Sequence, residues 1–309
     1  MRDSTRAVLL GSIAVASWAT VATAFKIALA QLSVYETIFI ATLTALAIFA
    51  IQMTVSRQWG ELSSLTRSDW RLLAVMGAVN PVAYYLILFQ AYDLLPAQIA
   101  QPLNYAWPIV LLVLLALFRH KAIPPMKYVG MGVSLAGVVA ISSGGEAIGG
   151  DLSPVGMGLA AGSAILWASY WMISDTLASR GVSQSAALFG GFLFGAIYLT
   201  LLLLLPAHWN LPVGIGRFNV PSLQALLAGV YVGCFEIGIP FICFGLAIRI
   251  SPNPALINQM CYLSPFLSLA LIATVLGEPI APTTVIGLAL IVAGLVFNQY
   301  FVHTKPVNA

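Results

Sequence analysis

The sequence predicts an all-α membrane protein, with ten transmembrane helices forming two five-helix inverted repeats around a central cavity. Three observations predict it. Of 309 residues, 60% are hydrophobic and 7% charged, with a mean hydropathy of +0.96. A soluble domain carries roughly 25% charged residues, so water could not wet such a surface. Second, apolar stretches of spanning length, about 20 residues, recur along the whole chain. Third, the last third of the chain repeats an earlier segment. Pro125, Gly130 and Ala136-Gly137-Val138 return as Pro282, Gly287 and Ala293-Gly294-Leu295, at an offset of 157. At that offset Pro108 meets Pro265, Ala97 meets Pro254 and Lys121 meets Glu278. Trp18-Ala19 returns as Trp167-Ala168 at an offset of 149, the slip fitting extra loop within 206–221. Repeated hydrophobic segments with polar residues between the copies are a signature of secondary transporters.

Charges, prolines and loop residues place the helices near 7–31, 34–55, 70–92, 95–118, 124–142, 154–178, 183–205, 222–248, 252–276 and 281–302. The first follows Arg2 and Arg6 but runs on too long for a signal peptide. Most connections are short, making consecutive helices antiparallel neighbours; the longest are 56–69, 143–153 and 206–221. The two repeats are expected to occupy 1–150 and 151–309.

Lys and Arg set the orientation. With the N-terminus in the cytoplasm, that side receives Arg2, Arg6, Arg57, Arg67, Arg71, Arg119, Lys121, Lys127, Arg180, Arg249 and Lys305. The outer side receives Lys26 and Arg217. This asymmetry is the positive-inside pattern, and it places both termini in the cytoplasm. Five helices per repeat is an odd number, so the second copy enters inverted. The opposite charges of Lys121 and Glu278 agree with that reversal.

Polar residues at membrane depth need partners or a cavity. Helix 4 carries Gln98, Gln101, Asn104, Tyr105 and Pro108 on one stripe, at about 100° per residue. Its repeat partner, helix 9, carries Asn258, Gln259, Tyr262 and Pro265. Helix 6 shows Ser163, Trp167, Tyr170, Trp171 and Ser174 on one face. Helix 1 offers Ser17, Trp18 and Thr20; helix 3 offers Asn80, Pro81, Tyr84 and Tyr85. These faces read either as interhelical packing or as the lining of a cavity, the aromatic ones suiting flat apolar ligands. The substrate-binding candidates are Trp18, Asn80, Tyr84, Gln98, Gln101, Asn104, Tyr105, Trp167, Trp171, Asn258, Gln259 and Tyr262. Pro102, Pro108, Pro254 and Pro265 are candidate hinges, because proline removes a backbone donor. Glu236, near the middle of helix 8, is the candidate for coupling transport to an ion, or else a structural acid. Lys26 snorkels, pairs with Glu36 or meets a substrate carboxylate.

Other function classes lose ground. No Walker A loop, His-Glu-x-x-His or Gly-x-Ser-x-Gly motif occurs, so neither an enzyme nor an ATP-driven pump is expected. Neither a cofactor nor a metal is expected. His120, His208 and His303 fall in loops or the tail, and Cys234, Cys243 and Cys261 lie in apolar stretches as small core residues. No basic cluster suits a nucleic acid, and short cytoplasmic loops offer a receptor little output surface.

Ser17-Trp18-Ala19, its echo Leu166-Trp167-Ala168, and Leu276-Gly277-Glu278-Pro279 before Gly287 and Ala293-Gly294 carry a family resemblance. The chain resembles the drug/metabolite transporter superfamily, in its ten-helix EamA-type branch, over nearly its whole length. The first copy departs from the pattern, with Arg119-His120-Lys121 where the second has Gly-Glu. Within that branch it is most similar to exporters of aromatic and other hydrophobic amino acids. The resemblance implies a central cavity built by both halves. The resulting expectation is a secondary exporter of aromatic or hydrophobic amino acids working by alternating access, with another metabolite, nucleoside or toxin as the alternative cargo. The partners expected are that small molecule and the lipid bilayer; oligomeric state stays open, a monomer being sufficient.

Overall fold

A computed structural model describes residues 3–119, 125–142, 152–206 and 212–300. His120, Lys121, His208, His303, Lys305 and Arg2 lie outside the described residues. The helices run in the order α1 (Asp3–Leu29), α2 (Val34–Val55), α3 (Arg67–Leu94), α4 (Ala97–Asn104 and Trp107–Arg119) and α5 (Pro125–Ser142). The second series is α6 (Pro154–Ser179), α7 (Gln184–Leu203), α8 (Leu223–Ile250), α9 (Pro254–Met260 and Ser264–Leu271, running on to Leu276) and α10 (Pro282–Tyr300). Among the described residues nine spans are long and apolar enough to cross a membrane, and α5 is a shorter apolar helix. A short helix, Trp59–Ser64, joins α2 to α3.

Small polar residues start these helices. The first N–H groups of a helix lack intrahelical partners, and a capping side chain supplies one. Ser33 accepts from the Glu36 N–H at 3.1 Å while Glu36 accepts from the Ser33 N–H at 2.9 Å, a reciprocal box opening α2. Thr66 and Asp69 do the same for α3. Ser153, Ser183 and Ser222 cap α6, α7 and α8. The other Glu36 oxygen accepts from the Asn219 N–H at 2.8 Å, so Glu36 is committed to backbone donors and not to Lys26. Lys26 instead lies within electrostatic reach of Glu278 and Asp93.

Helix contacts come in pairs that exchange the two halves. α1 packs on α8 as α6 packs on α3; α1 on α9 as α6 on α4; α2 on α8 as α7 on α3. The pairs α2–α7 and α5–α10 map onto themselves. Each contact therefore recurs between the counterparts of its two helices, which is the contact pattern of a pseudo-twofold axis.

The α5–α10 crossing lies on that axis. A Cβ added to Gly137 would stand 2.4 Å from the Gly287 carbonyl oxygen, and one added to Gly287 would stand 2.6 Å from that of Gly137. Gly130 and Gly294 approach in the same reciprocal way, at 2.6 and 2.3 Å. The Ser134 hydroxyl donates to the Ile291 carbonyl at 3.0 Å, and those two residues are themselves 157 apart. With no hydrophobic drive between helices in lipid, such backbone proximity is what holds the pair.

The irregular turns are paired too. α3 breaks within Ala78–Ala83, where Asn80 is non-helical at φ −142° and ψ 119°, and α8 widens into a π-helical segment at Gly233–Gly238. Aligning Gly77 with Gly233 sets Asn80 opposite Glu236, at an offset of 156. α4 breaks after Asn104 and resumes at Trp107, just before Pro108; α9 passes through a 3₁₀ turn, Cys261–Leu263, and resumes just before Pro265. A proline in the first helical turn forfeits no hydrogen bond, so each proline restarts its helix after the break. Two of the expected hinges differ. Pro102 sits inside the first piece of α4 without interrupting it. Pro254 opens α9 behind an Asn253 cap, and so begins that helix instead of bending it.

Candidate functional site

Between the halves lies a cavity of about 630 Å³. Trp18 of α1, Tyr84 of α3, Gln101, Asn104 and Tyr105 of α4, Trp167 and Trp171 of α6, Glu236 of α8, and Asn258 and Tyr262 of α9 all line it. The breaks in α4 and α9 fall at this level, turning Asn104, Tyr105, Cys261 and Tyr262 toward one space. Three candidates stand apart from the lining residues: Asn80, Gln98 and Gln259. Asn80 is fully buried at the break in α3, and neither its Oδ1 nor its Nδ2 has a partner among the described residues. Gln98 is committed to the α9–α10 turn. Gln259 is half-buried on a neighbouring face of α9.

Aromatic rings make most of the wall. Trp18 meets Phe244 edge-on at 5.2 Å, Tyr84 lies 4.8 Å from Trp167, and Trp107 stacks on Trp171 at 6.0 Å. The wall is fixed by polar bonds behind it. The Tyr84 hydroxyl donates to Asn104 Oδ1 at 3.3 Å, and Asn104 Nδ2 donates to Ser163 Oγ at 2.9 Å. The Trp18 indole N–H donates to the Glu236 carbonyl at 3.1 Å, tying α1 to the π segment of α8. Asn104 therefore orients Tyr84 and α6 as much as it faces the cavity. Other polar atoms are left over: Gln101 Oε1, Trp171 Nε1 and both side-chain polar atoms of Asn298 are buried with no partner among the described residues. Buried polar groups are nearly always satisfied, so unpaired ones on a cavity wall mark where a bound molecule contributes its own.

Glu236 is 8% exposed and opens onto this space. The Tyr85 hydroxyl donates to its Oε1 at 3.1 Å. Among the described residues no Lys, Arg or His side chain pairs with it.

One end of the cavity is open and the other shut. Lining residues Leu115, Lys127, Asp175, Ile248 and Gln299 lie at the ends of α4, α6, α8 and α10 and the start of α5, which form the mouth. At the opposite end Phe25 packs on Phe89 at 4.5 Å and on Tyr92 at 5.1 Å. Beyond that floor the Gln98 amide clamps α4 to the α9–α10 turn. Gln98 Nε2 donates to the Pro279 carbonyl at 2.8 Å. Gln98 Oε1 accepts from the Ala281 N–H at 3.0 Å and the Thr284 hydroxyl at 3.2 Å. Gly277, at φ 68°, ends α9 in the left-handed conformation that glycine adopts without penalty. That turn brings the Glu278 carboxylate to the first N–H groups of α4, Ala97 at 3.3 Å and Gln98 at 3.5 Å, where the helix dipole favours a negative charge. The Gly-Glu-Pro stretch is thus a cap for another helix, about 180 residues back.

Sequence reading missed Phe25, Tyr92, Phe244 and Asn298. Asn298, a lone amide in the last apolar helix, is the one a search for polar residues at depth should have raised.

Paired broken helices around a polar-aromatic cavity, open at one end, define a membrane transporter. The chain belongs to the EamA-like transporter family, whose model matches residues 5–143 and again 154–299. It is 26% identical over 294 residues to the aromatic amino acid exporter YddG of Ancylobacter novellus, covering 93% of this chain and 95% of that one. It is 24% identical over 229 residues to the uncharacterized transporter YvbV of Bacillus subtilis, covering 74% and 72%. A probable terminal-alkyne amino-acid exporter of Streptantibioticus cattleyicolor is 25% identical over 228 residues, covering 74% and 72%. A solved crystal structure shares the fold with a TM-score of 0.66 at 23% identity, covering 97% of this chain and 98% of the other.

Proposed function

We propose that this transporter exports aromatic and other hydrophobic amino acids from the cytoplasm by alternating access. The observation that carries the reading is the cavity wall, in which Trp18, Tyr84, Trp167 and Trp171 stand beside unpaired buried polar atoms of Gln101 and Asn298. Rings suit a flat apolar side chain, and leftover donors and acceptors suit its polar end. Two relatives named as amino-acid exporters support the same class. The halves 1–150 and 151–309 act as the moving units, and the breaks before Pro108 and Pro265 are where α4 and α9 flex. The mouth carries Lys127 and lies beside Arg180 and Arg249, so it faces the cytoplasm, with both termini on that side and Glu278 outside.

Radiolabelled phenylalanine or tryptophan is expected to accumulate in inside-out membrane vesicles bearing the protein, and the absence of accumulation would refute the assignment. Replacing Gln101, Tyr105, Asn258 or Tyr262 with Ala is expected to weaken transport with membrane expression intact. A lost interhelical-type hydrogen bond in a membrane is worth roughly 0.6 to 2 kcal/mol. That is about a three- to thirty-fold rise in half-saturating concentration, at about 1.4 kcal/mol per tenfold. Normal transport by all four variants would make these faces packing surfaces. Glu236 is the proposed coupling group: flux in proteoliposomes should respond to an imposed pH gradient, and Glu236→Gln should remove that response. A wild-type flux indifferent to the gradient would end the coupling role.

A further inference from the structure

We propose that the cavity recognises its cargo by a positively charged nitrogen held at Glu236, and that the cargo's carboxylate is dispensable. The inference rests on the transport function proposed for this cavity and narrows it to aromatic molecules bearing an amine. Glu236 is the carboxylate set into the aromatic part of the wall, nine-tenths buried, with one oxygen facing Tyr85 and no cationic side chain paired with it among the described residues. An isolated carboxylate out of water is costly unless a proton or a cation compensates it, and a cationic cargo would take the proton's place. Lys127 does not serve. It shares the mouth with Ile248, which lies twelve residues beyond Glu236 on α8, about 18 Å at 1.5 Å per residue.

The surroundings of Glu236 favour the same charge. Trp18 is bonded to its carbonyl, and Phe244, Tyr84 and Trp167 complete the nearby wall. Aromatic faces attract ammonium groups, and the attraction grows as water is excluded. A cargo carboxylate placed here would meet a like charge in a desolvated site. In an amino acid it must turn instead toward neutral amides such as Gln101 and Asn258, which tolerate it without requiring it.

Binding to the purified full-length protein in detergent, measured by quenching of intrinsic tryptophan fluorescence, tests this with four probes. Phenylalanine and phenethylamine share the amine; 3-phenylpropionate and N-acetylphenylalanine lack a cationic nitrogen. Phenethylamine is expected to bind within about threefold of phenylalanine, with the two acids at least about tenfold weaker. Glu236→Gln should erase that preference, and the wild-type comparison stands by itself if the variant fails to fold. Should 3-phenylpropionate match phenylalanine while phenethylamine fails, the inference is wrong and the amino-acid reading survives. Should phenethylamine bind while vesicles move no phenylalanine, the amine site stands and the amino-acid reading falls. If none of the four binds, both are wrong.

Discussion

Gly137→Leu and Gly287→Leu are each expected to remove nearly all folded protein from the membrane. A Cβ at either position would meet a carbonyl oxygen of the facing helix, at 2.4 and 2.6 Å, and backbone atoms cannot rotate away as a side-chain tip can. The helices must separate, forfeiting the Ser134–Ile291 bond and the close contact of both glycine pairs. Overpacking costs about 1 to 3 kcal/mol in cores that can yield, and this crossing cannot. A loss of about 3 kcal/mol is about a hundredfold in the folding equilibrium constant. Gly132→Leu on α5 and Gly158→Leu on α6 supply the controls, since an added Cβ there meets nothing within 4 Å. Fluorescence-detected size-exclusion chromatography of solubilised membranes measures the outcome. A monodisperse peak of normal height for Gly137→Leu would show that the crossing is not a structural requirement.

Gln98→Ala is expected to open the sealed end. The side chain makes the contacts with Pro279, Ala281 and Thr284 that hold α4 to the α9–α10 turn. At roughly 0.6 kcal/mol or more for each polar contact between helices in a membrane, their removal costs about 2 kcal/mol. That is about a thirty-fold shift toward the state in which this end is open. Leu88 lines the cavity and supplies a reporter position. In a cysteine-free background with Leu88→Cys, an impermeant maleimide applied from the Glu278 side should label about thirty-fold faster once Gln98 is Ala. Unchanged labelling would mean that the floor of Phe25, Phe89 and Tyr92 closes this end without the amide clamp.

Much of the architecture was legible because membrane folding leaves few choices. Apolar length marks the spans, and the 157-residue offset brings Pro108 to Pro265 and Gly137 to Gly294 before any helix is placed. Polar residues in apolar helices pointed to Gln101, Tyr105, Tyr262 and Glu236, all of which line the cavity. The same criterion misplaced Gln98. Its partners lie about 180 residues away in a turn, and an amide that closes one end carries the same local pattern as one that lines the middle. Asn80 was misplaced for a different reason. Asn80 sits at a break in α3, with φ −142° and ψ 119°, and a residue with extended backbone does not point where helical spacing would send it. The aromatic floor was invisible because Phe25 and Phe89 look like any other buried apolar residue.

The crossing of α5 and α10 has an evolutionary consequence. In an ancestor made of two identical half-length chains, one substitution at the axis would appear twice, facing itself, and selection would judge both copies together. Fusion into one chain ends that constraint. Gly130, Gly137, Gly287 and Gly294 remain identical because the backbones leave no room for anything else. Between them, Ser134 and Ile291 occupy matching places and have diverged, and the Ser134 hydroxyl donates a hydrogen bond to the Ile291 main-chain carbonyl. Such asymmetry on the dyad itself is closed to a dimer of identical halves.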